Sequence, residues 1–383
     1  MARDRSRWGE PPHPPRPSRL VVHAVGVRPN YVKASAVLRA ARALPRTRNV
    51  LVDTGQHYDA ALRDALYEDL RLDPPDHHLA VGSGSHARQT AAVMVAFEDA
   101  LLGARPDAVV VYGDVNSTVA CALVAAKLGV PVVHVEAGLR SYDRSMPEEI
   151  NRVVTDSVSD LLLTPSADAG ANLLREGVAP ERIRLVGNVM VDALVDALPR
   201  ALERDVLGRF ELRPEAYALL TLHRPHNVDR GGEMDRILEA FEEIQRELPV
   251  LFPVHPRTRA VLEASGHLAR LAALPGVRLT GPLGYLDFLC AEARARVVLT
   301  DSGGAQEETS VLGVPCVTLR ERTERPVTIS QGTSELAGTS PERILAAFRR
   351  GLERRRDPAV IEGWDGHAGA RAAQAIDALL SGG

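Results

Sequence analysis

Two successive α/β domains, each built on a parallel sheet, are the fold class this chain predicts, and three observations carry it. Short apolar runs rich in β-branched residues recur along most of the sequence, separated by helix-compatible segments, which is the pattern of parallel strands joined by crossover helices. A polar, amphipathic stretch over residues 191–213 divides these runs into two series. The length, 383 residues, gives each series enough chain for a core of its own.

Taken in order, the chain opens with "MARDRSRWGEPPHPPRPSR", which is basic and proline-rich and lacks the apolar stretch of a signal peptide, so residues 1–19 read as a disordered tail. Strands follow at "LVVHAVG", "NVLVDTG", "DAVVVYGD", "PVVHVEAG", "DLLLTPS" and "IRLVGNV", filling a first domain over residues 20–190. The runs "YALLTLHR", "VLFPVHP", "VRLTGPL", "ARVVLTDSG" and "VPCVTLR" fill a second domain over residues 191–365. In both series Gly, Asp, His or Glu directly follows the apolar run. The carboxyl ends of the strands line the ligand crevice of an open α/β sheet, so the recurrence predicts a functional cleft between two domains.

Composition narrows the function. A formal net charge of -4 gives no concentrated basic surface for a nucleic-acid backbone. Cys121, Cys290 and Cys316 are far apart and form neither a metal spacing nor a disulfide framework, which suits a reducing cytoplasm. No run approaches the roughly 20 apolar residues that span a bilayer. Nucleic acid and membrane are therefore not expected as partners.

The motifs at the strand ends suggest phosphate and proton chemistry. In "GVRPNYVK", Gly26 permits a tight approach and Pro29 suits a first helical turn, placing Arg28 and Lys33 near a helix N-terminus without a GxGxxG or Walker pattern. In "LTDSGGAQEE", Asp301, Ser302, Gly303 and Gly304 lead from a strand into a helix whose N–H groups suit phosphate oxygens. Glu308, on that helix, suits the two hydroxyls of a ribose. Arg325 in "RERTERP" offers a charge partner for a diphosphate. These signs fit a nucleotide-sugar better than a dinucleotide.

Carboxylates gather in the first series. Asp114 follows the strand of "YGDVNST", where its ordinary role is a helix cap. Glu136 ends the next strand, and Glu148 follows Pro147 in "HVEAGLRSYDRSMPEEINR". Crowded like charges suit a carboxyl group to proton transfer, while Glu149 is expected to orient the helix or a nearby basic group. In the second series "HRPHNVD" supplies His223 as a proton carrier or charge stabiliser, beside Arg224 and Asn227, and His255 ends the following strand. No HExxH or Cys/His spacing supports a metal.

The motifs "GVRPNYVK", "TGQHYD", "YGDVNST", "HVEAGLRS", "MPEEINR", "VGNVMVD", "HRPHN" and "DSGGAQEE" with "TERP", in this order, resemble the non-hydrolysing UDP-N-acetylglucosamine 2-epimerases, from residue 20 to about 375. The resemblance implies a GT-B type arrangement of two Rossmann-like domains with an interdomain active-site cleft, and a C-terminal helix, residues 366–383, packing back on the first domain. It implies reversible conversion of UDP-N-acetylglucosamine to UDP-N-acetylmannosamine through anti elimination of UDP and a 2-acetamidoglucal, with no cofactor and no metal, in a cytoplasmic homodimer. Asp114, Glu136, Glu148 and His223 occupy its principal catalytic positions, and Arg28 and Lys33 its active-site region. Ser302, Gly303, Gly304, Glu308 and Arg325 match nucleotide-binding positions, with Arg224 and His255 joining the substrate contacts. Gln56 and His255 resemble part of a second, activating nucleotide-sugar site.

The chain departs from many relatives at Val27 and Asn30, where GTRPE is common, and at Pro225 and His226, where HRRE is common. The ordered motifs favour epimerisation over an inverting glycosyltransferase or a non-catalytic nucleotide-sugar sensor. The lack of a kinase-like region speaks against a bifunctional hydrolysing epimerase. Cell-surface polysaccharide and antibiotic biosynthesis are the expected settings.

Overall fold

The computed structural model describes residues 19–44, 46–55, 60–224 and 231–382. Of the tail expected over residues 1–19, only Arg19 falls within them. The chain forms two units, one running to Ala193 and resuming at Glu362, the other spanning Leu194–Ile361.

The first unit holds β1 (Arg19–Val25), β2 (Thr47–Asp53), β3 (His77–His78), β4 (Ala108–Tyr112), β5 (Val132–Val135), β6 (Leu161–Thr164) and β7 (Ile183–Leu185). They pair in the order β3-β2-β1-β4-β5-β6-β7, every pair parallel. Each residue of β4, AVVVY, is fully buried, which is why this strand reads as an unbroken apolar run rather than an alternating one. The winding reverses between β1 and β4. Such a switch point opens a crevice outside the carboxyl ends of the strands, so the residues after β1, β4 and β5 are placed where a ligand binds.

The second unit repeats the plan with β8 (Ala218–Thr221), β9 (Val250–Pro253), β10 (Val277–Thr280), β11 (Val297–Thr300), β12 (Cys316–Thr318) and β13 (Ser334–Leu336). The order is β10-β9-β8-β11-β12-β13, again parallel, with its switch point between β8 and β11. Its core gathers Phe241, Phe252 and Phe348 with the aliphatic residues of the central strands.

The chain re-enters the first unit at Glu362, four residues before the 366 read from sequence. Buried Trp364 anchors the return by donating its indole N–H to the Pro165 carbonyl at 2.9 Å. The helix Ala368–Ser381 then packs on the helix Arg28–Ala41. Its first amides are satisfied by one side chain: the Asp192 carboxylate accepts from Ala368 N at 3.0 Å and Gly369 N at 2.7 Å, doing from a distant helix what an N-cap residue does locally.

Candidate active site

In the first unit the carboxyl ends of β4 and β5 carry the acidic groups. Glu136, one residue past β5, has φ of +74°, a left-handed conformation that costs a non-glycine residue free energy and is held by its surroundings. The backbone amides of Glu136 and Ala137 both donate to Leu163 O at 3.1 Å, which fixes this turn. The turn directs the Glu136 carboxylate to Lys33, whose Nζ lies 3.0 Å from Oε1 with both side chains buried. This pair sits over Gly113: a Cβ placed there would stand 3.0 Å from Lys33 Nζ and 3.7 Å from Glu136 Oε1. Lys33, Glu136 and the residue before Asp114 are therefore together.

Arg28 occupies the first position of its helix, half-buried. A cation there opposes the helix dipole unless an anion is nearby. Asn30, two residues on, bonds in both directions: its Oδ1 accepts from Gly26 N and Val27 N at 3.2 Å, and its Nδ2 donates to Tyr112 O at 2.8 Å. A glutamate carboxylate at this position can accept but not donate. The amide thus suits the contact between the loop after β1 and the end of β4.

Asp114 is not a helix cap. The N-cap of the helix Asn116–Lys127 is Val115, which has no capping side chain, and Asp114 Oδ2 instead takes Arg152 Nη1 at 2.5 Å. Arg152 is buried in the helix Pro147–Val158, and its Nη2 reaches Glu149 Oε2 at 2.8 Å. Glu149 also accepts from Ser141 N and Tyr142 N at 2.9 Å. Burial acts to raise its pKa, but the Ser141 and Arg152 hydrogen bonds prevail and hold it below the ordinary value. Glu149 therefore orients a basic group. Glu148 stands half-buried beside it in the first helical turn.

A second buried network lies below β5. His134 Nε2 donates to the Gly113 carbonyl at 2.8 Å, and its Nδ1 faces Asp156 Oδ1 at 2.6 Å. Asp156 Oδ2 pairs with Arg140 Nη1 at 2.7 Å, and Arg140 grips Glu176 through Nε and Nη2 at 2.8 and 2.6 Å. Burial would lift the Asp156 pKa, yet His134 and Arg140 outweigh it and keep the carboxyl below its usual range. The loop bearing Glu136 and the turn bearing Gly113 are both tied to this network.

In the second unit His223 follows β8 with its side chain 43% exposed, and its Nδ1 lies 3.1 Å from Oδ1 of fully buried Asp301. Asp301, after β11, also accepts from His223 N at 3.1 Å and Arg224 N at 2.9 Å. Burial pushes its pKa up, while His223 and these amides prevail and set it below the ordinary value. Asp301 thus orients the imidazole and leaves Nε2 for chemistry.

The helix Gly303–Leu312 begins at Ser302, whose side chain does not cap it. Against its first turn lies the Arg325 guanidinium: a Cβ on Gly303 would stand 2.4 Å from Nη1, so only glycine leaves room for this approach. Arg325 is buried between Glu307 (2.6 Å) and Glu324 (2.5 Å), and Glu324 also meets Arg320 at 2.8 Å and Arg224 at 3.4 Å. Three guanidiniums thus surround two carboxylates beside a helix N-terminus, an excess of positive charge suited to phosphate. Arg325 acts from within this array, not as an extended surface side chain. Glu308 is buried on the same helix.

His255 is exposed after β9. Gln56, Pro225, His226 and Asn227 lie outside the described residues. Among the described residues no group of three or more His, Cys, Asp or Glu side chains is placed to hold a metal. The motifs do not disclose the groups that orient them: Arg152, Asp156 and Glu324, and Asp301 in its role beneath His223. Only Arg152 carried a local signal, its i,i+3 spacing from Glu149.

A family model for UDP-N-acetylglucosamine 2-epimerase matches residues 39–377. The chain is 42% identical over 337 residues to a Methanococcus maripaludis UDP-N-acetylglucosamine 2-epimerase, covering 87% of this chain and 91% of that protein. It is 39% identical over 335 residues to a Pseudomonas aeruginosa UDP-2,3-diacetamido-2,3-dideoxy-D-glucuronate 2-epimerase, covering 87% and 92%. The crystal structure of the Methanocaldococcus jannaschii UDP-GlcNAc 2-epimerase in complex with UDP-GlcNAc and UDP is similar with a TM-score of 0.89 at 39% identity, over 94% of this chain and 99% of that one. The two parallel α/β units are Rossmann-like domains of a GT-B-like fold. With this fold, these strand-end residues and matches over most of its length, the chain belongs to the UDP-N-acetylglucosamine 2-epimerase family.

Proposed function

We propose that the protein interconverts UDP-N-acetylglucosamine and UDP-N-acetylmannosamine without net hydrolysis. The observation that carries this reading is the set of carboxylates at the ends of β4 and β5, where Glu136 holds a left-handed backbone conformation against the buried Lys33 cation. Strain kept at a ligand-facing strand end marks a functional group.

The chemistry explains why several carboxylates are needed. Inversion at C2 requires a proton to leave one face of the sugar and a proton to arrive at the other. The C2–H bond breaks as the C1–O bond to UDP breaks, its electron pair forms the C1=C2 bond of 2-acetamidoglucal, and UDP departs with the C1–O pair. Re-addition of UDP at C1 with protonation at the opposite face of C2 completes the exchange. Asp114, Glu136 and Glu148 handle the protons as a group. Arg28, His223 and the arginine array around Glu324 oppose the charge growing on the departing diphosphate, where electrostatic stabilisation acts most strongly. Glu308 accepts from the uridine ribose. In this reading the enzyme is a cytoplasmic homodimer, in keeping with its three buried, unbridged cysteines.

Incubation with UDP-N-acetylglucosamine alone, without nicotinamide cofactor, tests the reading. NMR is expected to show UDP-N-acetylmannosamine at equilibrium with substrate, and UDP released in step with free sugar would overturn it. The Pseudomonas relative favours a second substrate, a UDP-2-acetamido sugar with further substituents, since the C1–C2 chemistry is the same. Turnover of UDP-2,3-diacetamido-2,3-dideoxy-D-glucuronate but not of UDP-N-acetylglucosamine would select it.

A further inference from the structure

Asp114 is held from two sides. It stands in the turn between β4 and the helix Asn116–Lys127, directly after Gly113 with φ of +64°. Its carboxylate meets Arg152, while its backbone carbonyl accepts from Asn151 Nδ2 at 2.9 Å. Two consecutive residues of the helix Pro147–Val158 thus grip the side chain and the peptide of one residue. Asn151 Nδ2 has a second hydrogen, which goes to Asn116 Oδ1 at 3.3 Å. Asn116 Nδ2 in turn donates to Gln89 Oε1 at 2.8 Å and lies 3.1 Å from Nδ1 of exposed His86. Buried Gln89, in the helix His86–Ala104, ends the row by donating from Nε2 to the Gly82 carbonyl at 3.3 Å. Three side-chain amides from three helices therefore run between two backbone carbonyls, with every amide nitrogen facing an acceptor. A carboxylate at any of the three positions would lack a donor that the row uses.

We propose that Asn151, braced by Asn116, is a positioning residue for Asp114: it fixes the peptide from which the carboxylate projects, and so the orientation in which that carboxylate meets the sugar. This rests on the proton-handling role proposed for Asp114. Arg152 alone holds the carboxylate through a long side chain that can follow it as the residue swings. The Asn151 bond adds a second fixed point, on the backbone. The terminal torsion of an asparagine is intrinsically broad, and the Asn116 carbonyl holds the Asn151 amide in the one orientation that serves Asp114. Proton transfer at carbon needs close approach and alignment, and a displacement of about 1 Å can cost about 100-fold in rate. The nucleotide contacts proposed above lie at Arg28 and in the second unit, apart from this row, so the loss falls on kcat rather than on UDP binding.

Turnover of UDP-N-acetylglucosamine by the full chain, divided by the number of UDP-binding sites counted by calorimetry, provides the test in N151L, N116L, the double variant N151L/N116L and D114N. Both asparagines are half-buried, and leucine keeps their approximate shape without a donor or an acceptor. N151L should lower kcat about tenfold to 100-fold, with UDP affinity near that of the wild type. N116L should lower kcat less. Because Asn116 acts through Asn151, the double variant should be no slower than N151L, as expected of coupled positions. Losses that multiply in the double variant would mark independent effects and overturn the proposal, as would a loss of UDP affinity matching the loss of kcat. If D114N loses turnover and N151L keeps it, the inference fails and the role of Asp114 stands. If D114N turns over like the wild type, the proton role of Asp114 itself fails. Should N151L not fold, N116L decides the matter, and an unchanged kcat in N116L would reject the proposal.

Discussion

Glu136 combines backbone strain, burial and a paired cation at one residue, so its replacement separates chemistry from binding. E136Q keeps the shape and a hydrogen-bonding group but not the base. Its kcat is expected to fall about 100-fold to 10,000-fold, the range of general acid–base contributions, while UDP affinity measured by calorimetry stays near wild type. At Gly303 the opposite result is expected. G303A places a methyl group against the Arg325 guanidinium, and the forced shift, costing about 1–3 kcal/mol by the usual range for overpacking, should weaken UDP binding with less effect on the chemical step. R152M leaves Glu149 buried without its cation and releases Asp114. Breaking a buried pair costs about 3–5 kcal/mol, which urea denaturation would measure, and turnover should fall with it.

The elements differ in how openly the sequence announces them. Strands β1, β4, β5 and β11 are apolar runs because both faces of a central parallel strand are covered, and their terminal Gly, Asp and Glu residues stand out at the point of exit. β3 has only two residues, His77–His78, and β13, Ser334–Leu336, carries one apolar residue and no β-branched run, so neither could be read. The groups that orient the site were hidden for another reason. Arg152 meets Asp114 from 38 residues away and Asp301 meets His223 from 78, distances that only the winding of each sheet closes. The last helix shows the same dependence on tertiary context, since its first amides rely on Asp192. D192A removes both charge-assisted bonds, each typically worth about 1.5–3 kcal/mol, and should lower the urea midpoint followed by Trp364, whose indole reports the re-entry into the first unit.

For the molecule as a whole, two units with separate cores make a single unfolding transition an unsafe assumption, but the pH response has a definite sign. Glu149, Asp156 and Asp301 are held below ordinary carboxylate values. Their stabilisation is present above about pH 4, the unfolded range, and is lost as pH falls through the folded values. Asp192 and Glu292, raised mainly by burial, act in the reverse direction: their contribution is complete below that range and shrinks as pH rises. Acid should therefore lower the denaturation midpoint of the first unit as pH falls below about 4, where Glu149 and Asp156 both lose their stabilisation, and D156N, less stable at neutral pH, should show a shallower fall.

The central claim is that C2 exchanges its proton while UDP leaves and returns. Turnover of UDP-N-acetylglucosamine in deuterated water, followed by NMR of the purified product, tests it most directly. The account predicts UDP-N-acetylmannosamine carrying deuterium at C2, and a product that forms with its original hydrogen still at C2 would contradict it.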